Sequence, residues 1–159
     1  MLNLLITRKL PDPVLDKARE VFDVTVRDNT APLSRDELIQ SLSAYDVVLP
    51  TLGDAYRADI FGAVSEKRTK LLANFGVGYN HIDAVAARAA GIEVTNTPDV
   101  LTEATAELTM ALLLAVARRG VEGDRMMRQQ AFAGWRPTLL RGADLHGAVL
   151  GIVGKGRIG

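Results

Sequence analysis

Nine short segments of alternating character fill the first hundred residues, and no other feature of the chain limits its fold so strongly. Apolar, strand-like runs occupy 2–7, 23–28, 46–51, 70–75 and 92–97. Between them lie stretches with helical spacing, at 11–22, 34–45, 57–66 and 81–91. In 11–22, Val14, Leu15, Ala18, Val21 and Phe22 recur at helical intervals, and the prolines fall only at the start, where a helix tolerates them. Ser34 with Glu37 three residues later forms a capping box, each side chain accepting a free backbone N–H of the first turn. The stretch 81–91 ends in Gly91, as helices prefer. Strands alternating with helices of about ten residues imply β-α-β units and a mostly parallel, doubly wound sheet. Five parallel strands are expected over residues 1–98.

The alternation stops near Pro98-Asp99. From Thr102 the chain reads as one long helix to about Gln130, with Thr102 as its N-cap. Its first part, 104–117, is apolar nearly all round and should be buried on most sides. Its later part is polar and carries Gly120 and Gly123, which predict a kink or fraying. Residues 131–147 read as an irregular connector, and 148–153, "AVLGIV", as a buried strand.

That strand runs into Gly154-Lys155-Gly156-Arg157-Ile158-Gly159, a G-x-G-x-x-G spacing. In a dinucleotide site the first glycine permits the tight turn and the second lets the pyrophosphate approach the backbone. The third allows close packing of the helix that follows. Glycine-rich turns also close hairpins, so the spacing alone leaves both readings open. A Walker A loop is excluded, because Lys155 is followed by glycine rather than Ser or Thr. Farther back, Asn74-Phe75-Gly76-Val77-Gly78 reads as a strand-to-helix turn.

Composition narrows the partners. Of 159 residues, 19 are Lys or Arg and 19 Asp or Glu, so a net charge of zero gives no basic face for nucleic acid or anionic membrane. With no cysteine there is neither a disulfide framework nor thiolate chemistry. The most apolar stretch, 108–117, is bounded by Glu107 and Arg118-Arg119 and is too short to span a bilayer. The N-terminal residues lack the pattern of a secretory signal. A cytoplasmic protein is expected.

Taken together, "LLITRKLPD", "LLANFGVGYNHID", "GIEVTNTPDVLTEATAELTMALLLAVARR", the Gly-Trp and Pro of "AGWRPTLLRGADL", and "LGIVGKGRIG" resemble the D-isomer-specific 2-hydroxyacid dehydrogenases. The closest likeness is to their glyoxylate/hydroxypyruvate reductase branch, and it runs from Met1 to Gly159. The resemblance implies a flavodoxin-like substrate domain over 1–98. Residues 99–159 would begin a Rossmann domain that binds NAD or NADP and is cut at its glycine turn. It implies hydride transfer to a small 2-oxo acid, giving the D-2-hydroxy acid. The loop at 74–78 then looks like the substrate-carboxylate loop, acting through the N–H groups of Val77 and Gly78, with Leu52 as an apolar wall. Thr105 looks like a residue facing the nicotinamide, and Gly154, Lys155, Gly156, Arg157, Ile158 and Gly159 like the cofactor turn. A homodimer through the 102–130 region is implied as well.

Two positions depart from the family pattern. Lys155 stands where relatives carry an apolar residue, and Leu139 where several reductases carry a second aromatic. The family's catalytic arginine, glutamate and histidine come after the glycine turn, so no catalytic residue is assigned in these 159 residues, nor any metal ligand. His81 and His146 are expected at the surface rather than as substitutes. The chain alone is therefore expected to be inactive. A non-catalytic dimerisation or ligand-binding module and a non-functional truncation product are the alternatives.

Overall fold

In the computed structural model, which describes residues 1–159, the chain divides into two compact units, Met1–Asp99 and Val100–Gly159. The first is built from β1 (Leu2–Ile6), α1 (Asp12–Arg19), β2 (Phe22–Val26), α2 (Arg35–Ala44), β3 (Val47–Leu49), α3 (Ala58–Ala63), β4 (Leu71–Ala73), α4 (Ala84–Ala89) and β5 (Glu93–Thr95). All five strands pair in parallel, in the order β2-β1-β3-β4-β5. This is the flavodoxin-like order, whose switch point lies between β1 and β3.

Side-chain alternation along the strands splits the core in two. Leu5, Val48 and Leu72 point into one cluster, where they meet Leu38 and Leu42 of α2, Ile60 and Phe61 of α3, and Ala87 of α4. Leu4, Ile6 and Val47 point into the other, where they meet Leu10 and Leu15. The register aligns each layer, pairing Val48 with Leu72 and Leu4 with Val47. Slipping one strand by a residue would move its apolar set to the wrong face. Fully burying a leucine such as Leu72 contributes about 1.5–3 kcal/mol.

Local chemistry sets the helix ends. The capping box of α2 forms as the sequence predicts: Glu37 N–H donates to Ser34 Oγ at 3.3 Å, and Ser34 N–H to Glu37 Oε2 at 2.8 Å. Asp83 caps α4 by accepting the Ala86 N–H at 2.9 Å. Just past that helix Gly91 takes φ +75°, a conformation that a side chain would strain.

The second unit holds α5 (Thr102–Ala117) and α6 (Gly120–Arg128). Here the structure corrects four expectations. The long helix is two, broken where Arg119 adopts φ 53°, one residue before Gly120. Thr102 is the first helical residue and makes no capping hydrogen bond; Leu101 is the cap position. No residue of α5 is buried, because the second unit contains only α6 and irregular chain to pack on it. Residues 148–153 form no strand. A parallel strand is stable only when a neighbour takes up its N–H and C=O groups, and this unit offers none. The connector over 131–147 is irregular, as expected.

Candidate functional site at the carboxyl edge of the sheet

Ligands of open parallel sheets bind outside the carboxyl ends of the strands, at the switch point. In the first unit the loops after β1, β3, β4 and β5 meet there, and polar side chains lock them together. Asp54, fully buried, is the hub below the switch point. Its carboxylate accepts from Thr7 Oγ1 at 2.6 Å, from the Leu33 N–H at 3.0 Å and from the Thr51 N–H at 3.1 Å. Arg8 Nη2 pairs with it at 3.1 Å. One carboxylate thus ties the end of β1, the loop after β3 and the approach to α2. Leu52 sits in that loop with its side chain exposed.

The loop after β4 is held in the same manner. Phe75 N–H donates to Pro50 O at 2.9 Å, joining it to the loop after β3. Asn74 is buried; its Nδ2 donates to Gly76 O at 3.1 Å and to Gly78 O at 3.0 Å. Its Oδ1 lies 3.0 Å from His81 Nε2. From the end of β5, Asn96 Nδ2 donates to Val77 O at 2.9 Å, and Thr97 N–H to Gly76 O at 3.0 Å. Arg57 Nη1 holds Asn80 O at 2.9 Å. The N–H groups of Val77 and Gly78 have no acceptor in the protein, and both residues are exposed.

His81 departs from its expected surface position. It is half-buried on Asn74, and that burial lowers its pKa against the raising influence of Asp54, with Arg57 lowering it further. With Nε2 directed at Asn74, the ring is a structural partner of the loop. His146 is exposed, as expected.

The predicted site residues therefore fall in two groups. Leu52, Val77 and Gly78 share the carboxyl edge of the first unit. Thr105, Gly154, Lys155, Gly156, Arg157, Ile158 and Gly159 belong to the second. Thr105 is exposed, and its hydroxyl donates back to Leu101 O at 2.8 Å within its own helix. Residues 154–159 are exposed, and the stretch before them, 148–153, is not a strand. Gly154 does take φ +88°, as a tight turn requires. At Gly154 and Gly156 an added Cβ would meet nothing within 4 Å, so the backbone there is open to the approach of a phosphate.

Sequence reasoning missed Asp54, Asn74, Asn96 and the role of His81. Asn74 lay within the quoted motif at a strand end, which was the available signal. Asp54 gave none, since a lone Asp in a Gly-Asp turn reads as an ordinary turn residue. No group of His, Cys, Asp and Glu side chains could hold a metal ion. No helix is long and apolar enough to cross a membrane.

Comparison with known proteins agrees with this architecture. A glyoxylate reductase from Thermococcus onnurineus is 40% identical over 99% of this chain and 48% of its own length. A glycerate dehydrogenase from Hyphomicrobium methylovorum is 38% identical over 99% of this chain and 48% of its own length. Among solved structures, the TT0316 protein from Thermus thermophilus matches with a TM-score of 0.89 and 44% identity, over 99% of this chain and 50% of that one. An acyclic imino acid reductase, solved with NADPH and D-Arg, matches with a TM-score of 0.71 and 25% identity, over 86% of this chain and 43% of that one. The chain spans about half the length of the relatives it matches. Residues 4–148 match the family described as "D-isomer specific 2-hydroxyacid dehydrogenase, catalytic domain", and the chain belongs to that family of oxidoreductases.

Proposed function

We propose that residues 1–98 form the substrate domain of an NAD(P)-dependent D-2-hydroxyacid dehydrogenase acting on a small 2-oxo acid of the glyoxylate or hydroxypyruvate type. The observation that carries this reading is the pair of exposed, unpaired N–H groups at Val77 and Gly78, on the carboxyl edge next to the switch point. Backbone N–H groups without a protein acceptor are suited to a carboxylate, and each charge-assisted hydrogen bond strengthens its capture. Leu52 offers an apolar surface on the neighbouring loop. The relatives' names, glyoxylate reductase and glycerate dehydrogenase, both point to small acids with a carboxylate beside the reacting carbon.

When bound, the nicotinamide supplies the hydride of this chemistry. This chain's residues would hold and orient the acid. None is placed to protonate the carbonyl oxygen: His81 is engaged with Asn74. We therefore expect the 159 residues alone to bind the acid without turning it over. Residues 99–159 would begin the NAD(P)-binding domain, with Thr105 and 154–159 as its cofactor contacts once a partner strand and a following helix complete the turn. The exposed apolar side of α5 supports homodimerisation through residues 102–130, and would serve equally in a non-catalytic dimerisation module. Zero net charge argues against nucleic acid as a partner, and a cytoplasmic location belongs to the same reading.

The test is NADH and NADPH consumption with glyoxylate and hydroxypyruvate. The chain would be assayed alone and fused to the second half of the Thermococcus onnurineus relative. Silence alone and turnover in the fusion are expected. A folded fusion that binds the cofactor but reduces no 2-oxo acid would contradict the proposal.

A further inference from the structure

Two side-chain amides fix three consecutive carbonyls of the loop after β4. Asn74 Nδ2 holds Gly76 O and Gly78 O, and Asn96 Nδ2 holds Val77 O. The structure contains no cis peptide bond. In a planar trans peptide the N–H of the next residue points opposite to the carbonyl. Drawing the carbonyls of 76 and 78 toward Asn74 therefore turns the N–H groups of Val77 and Tyr79 away from it. Drawing the carbonyl of 77 toward Asn96 turns the Gly78 N–H away from that side chain. None of the three N–H groups has an acceptor in the protein, and Val77, Gly78 and Tyr79 are all exposed. Successive backbone N–H groups left free in a loop are the donors from which anion-binding sites are built.

Asn74 can do this in only one amide orientation. Its two N–H bonds are both committed to carbonyls, leaving Oδ1 as an acceptor. His81 Nε2, 3.0 Å from that oxygen, must then carry a proton and donate. A flipped amide would set Oδ1 against two carbonyl oxygens and its N–H groups against the donor of His81.

We infer that Asn74 and Asn96 are positioning residues for capture of a carboxylate, that the Tyr79 N–H is a third donor in that surface, and that His81 acts by fixing the Asn74 amide. This rests on the reading of the loop proposed above. Neither asparagine touches the acid; each acts through the peptide groups it orients.

The experiment is an amide NMR titration of the 159-residue chain with oxalate. In the wild type, saturable shifts are expected at Val77, Gly78 and Tyr79. Asn96→Ala removes a partly exposed side chain and should weaken binding about tenfold, the effect of losing one well-aimed charged hydrogen bond, with core amides such as Val48 and Leu72 unmoved. Asn74→Asp, which cannot donate, should weaken it further. His81→Leu should weaken binding, and His81→Gln, whose amide N–H reaches the same oxygen, should restore it. Should Asn74→Asp not fold, Asn96→Ala and the His81 pair decide. Unchanged affinity in folded Asn96→Ala and His81→Leu would overturn this inference and leave the loop reading standing. Shifts at Val77 and Gly78 without one at Tyr79 would remove the third donor. A wild type with no shift at Val77 or Gly78 would overturn the loop reading and this inference with it.

Discussion

Arg8 and Asp54, 46 residues apart in sequence, meet at 3.1 Å across the switch point of the sheet, the carboxylate fully buried and the guanidinium side chain 15% exposed. The pair does more than join two loops. Thr7, Leu33 and Thr51 donate to the same carboxylate, so its removal strands several donors at once. Asp54→Ala should cost about 3–5 kcal/mol in urea unfolding, the range for breaking a buried ion pair. A cost below about 1 kcal/mol would mean that water replaces the carboxylate and that the loops hold without it.

Capping of α2 gives a smaller, separable effect. Ser34→Ala should lower stability by about 1 kcal/mol. Hydrogen bonds from the Ser34 backbone and side chain, and then Arg27, hold the Glu37 carboxyl below its ordinary value of 4.5. A lowered acid pKa in the folded state adds stability above the unfolded value, and that stability is lost as pH falls. The acid limb of the unfolding curve below about pH 4.5 should therefore flatten in Glu37→Gln. An identical limb in wild type and variant would remove Glu37 from the account.

His81 has the opposite charge logic and the same direction with pH. Its pKa is lowered from 6.5, chiefly by burial, so the folded state binds fewer protons than the unfolded one. Its stabilising contribution is present above 6.5 and is lost as pH falls toward the lowered folded value. The other charged groups acting on it are Asp54 and Arg57. Thermal midpoints measured between about pH 7 and 5 should drop less in His81→Gln than in the wild type. Equal slopes would place the ring outside the folded core.

Leu108 and Leu112, one turn apart on α5, are 59% and 56% exposed. This apolar surface is the basis of the dimer proposed through residues 102–130. Sedimentation should show the chain as a dimer and Leu108→Glu/Leu112→Glu as a monomer of similar stability, since exposed substitutions change stability by only about 0.5 kcal/mol. A wild-type monomer at high concentration would contradict a dimer built through this region.

The strands, their parallel pairing and the helices of the first unit were legible because period and capping are local signals. The Ser34–Glu37 box and the Gly91 stop are examples. Asp54 was not legible, because its partners Arg8 and Leu33 come from distant segments that only the fold assembles. The strand expected at 148–153 failed for a related reason. Its apolar run encodes a wish for a neighbour, and no neighbouring strand exists in its unit. The break at Arg119 falls one residue before the glycine that marked it, because a left-handed arginine, unlike a glycine, has no sequence mark.

The central claim is that the loop's N–H groups take the carboxylate of a small 2-oxo acid. Gly78 suits a direct test: a Cβ added there would meet nothing within 4 Å, so a substitution need not disturb the fold. The measurement is an amide NMR titration of the wild type and Gly78→Val with glyoxylate and with glycolaldehyde, which replaces the carboxylate by a neutral group. The account predicts saturable shifts at Val77 and Gly78 with glyoxylate alone, and binding about tenfold weaker in Gly78→Val at an unchanged unfolding midpoint. Equal responses to the two compounds, or unaltered affinity in Gly78→Val, would contradict it.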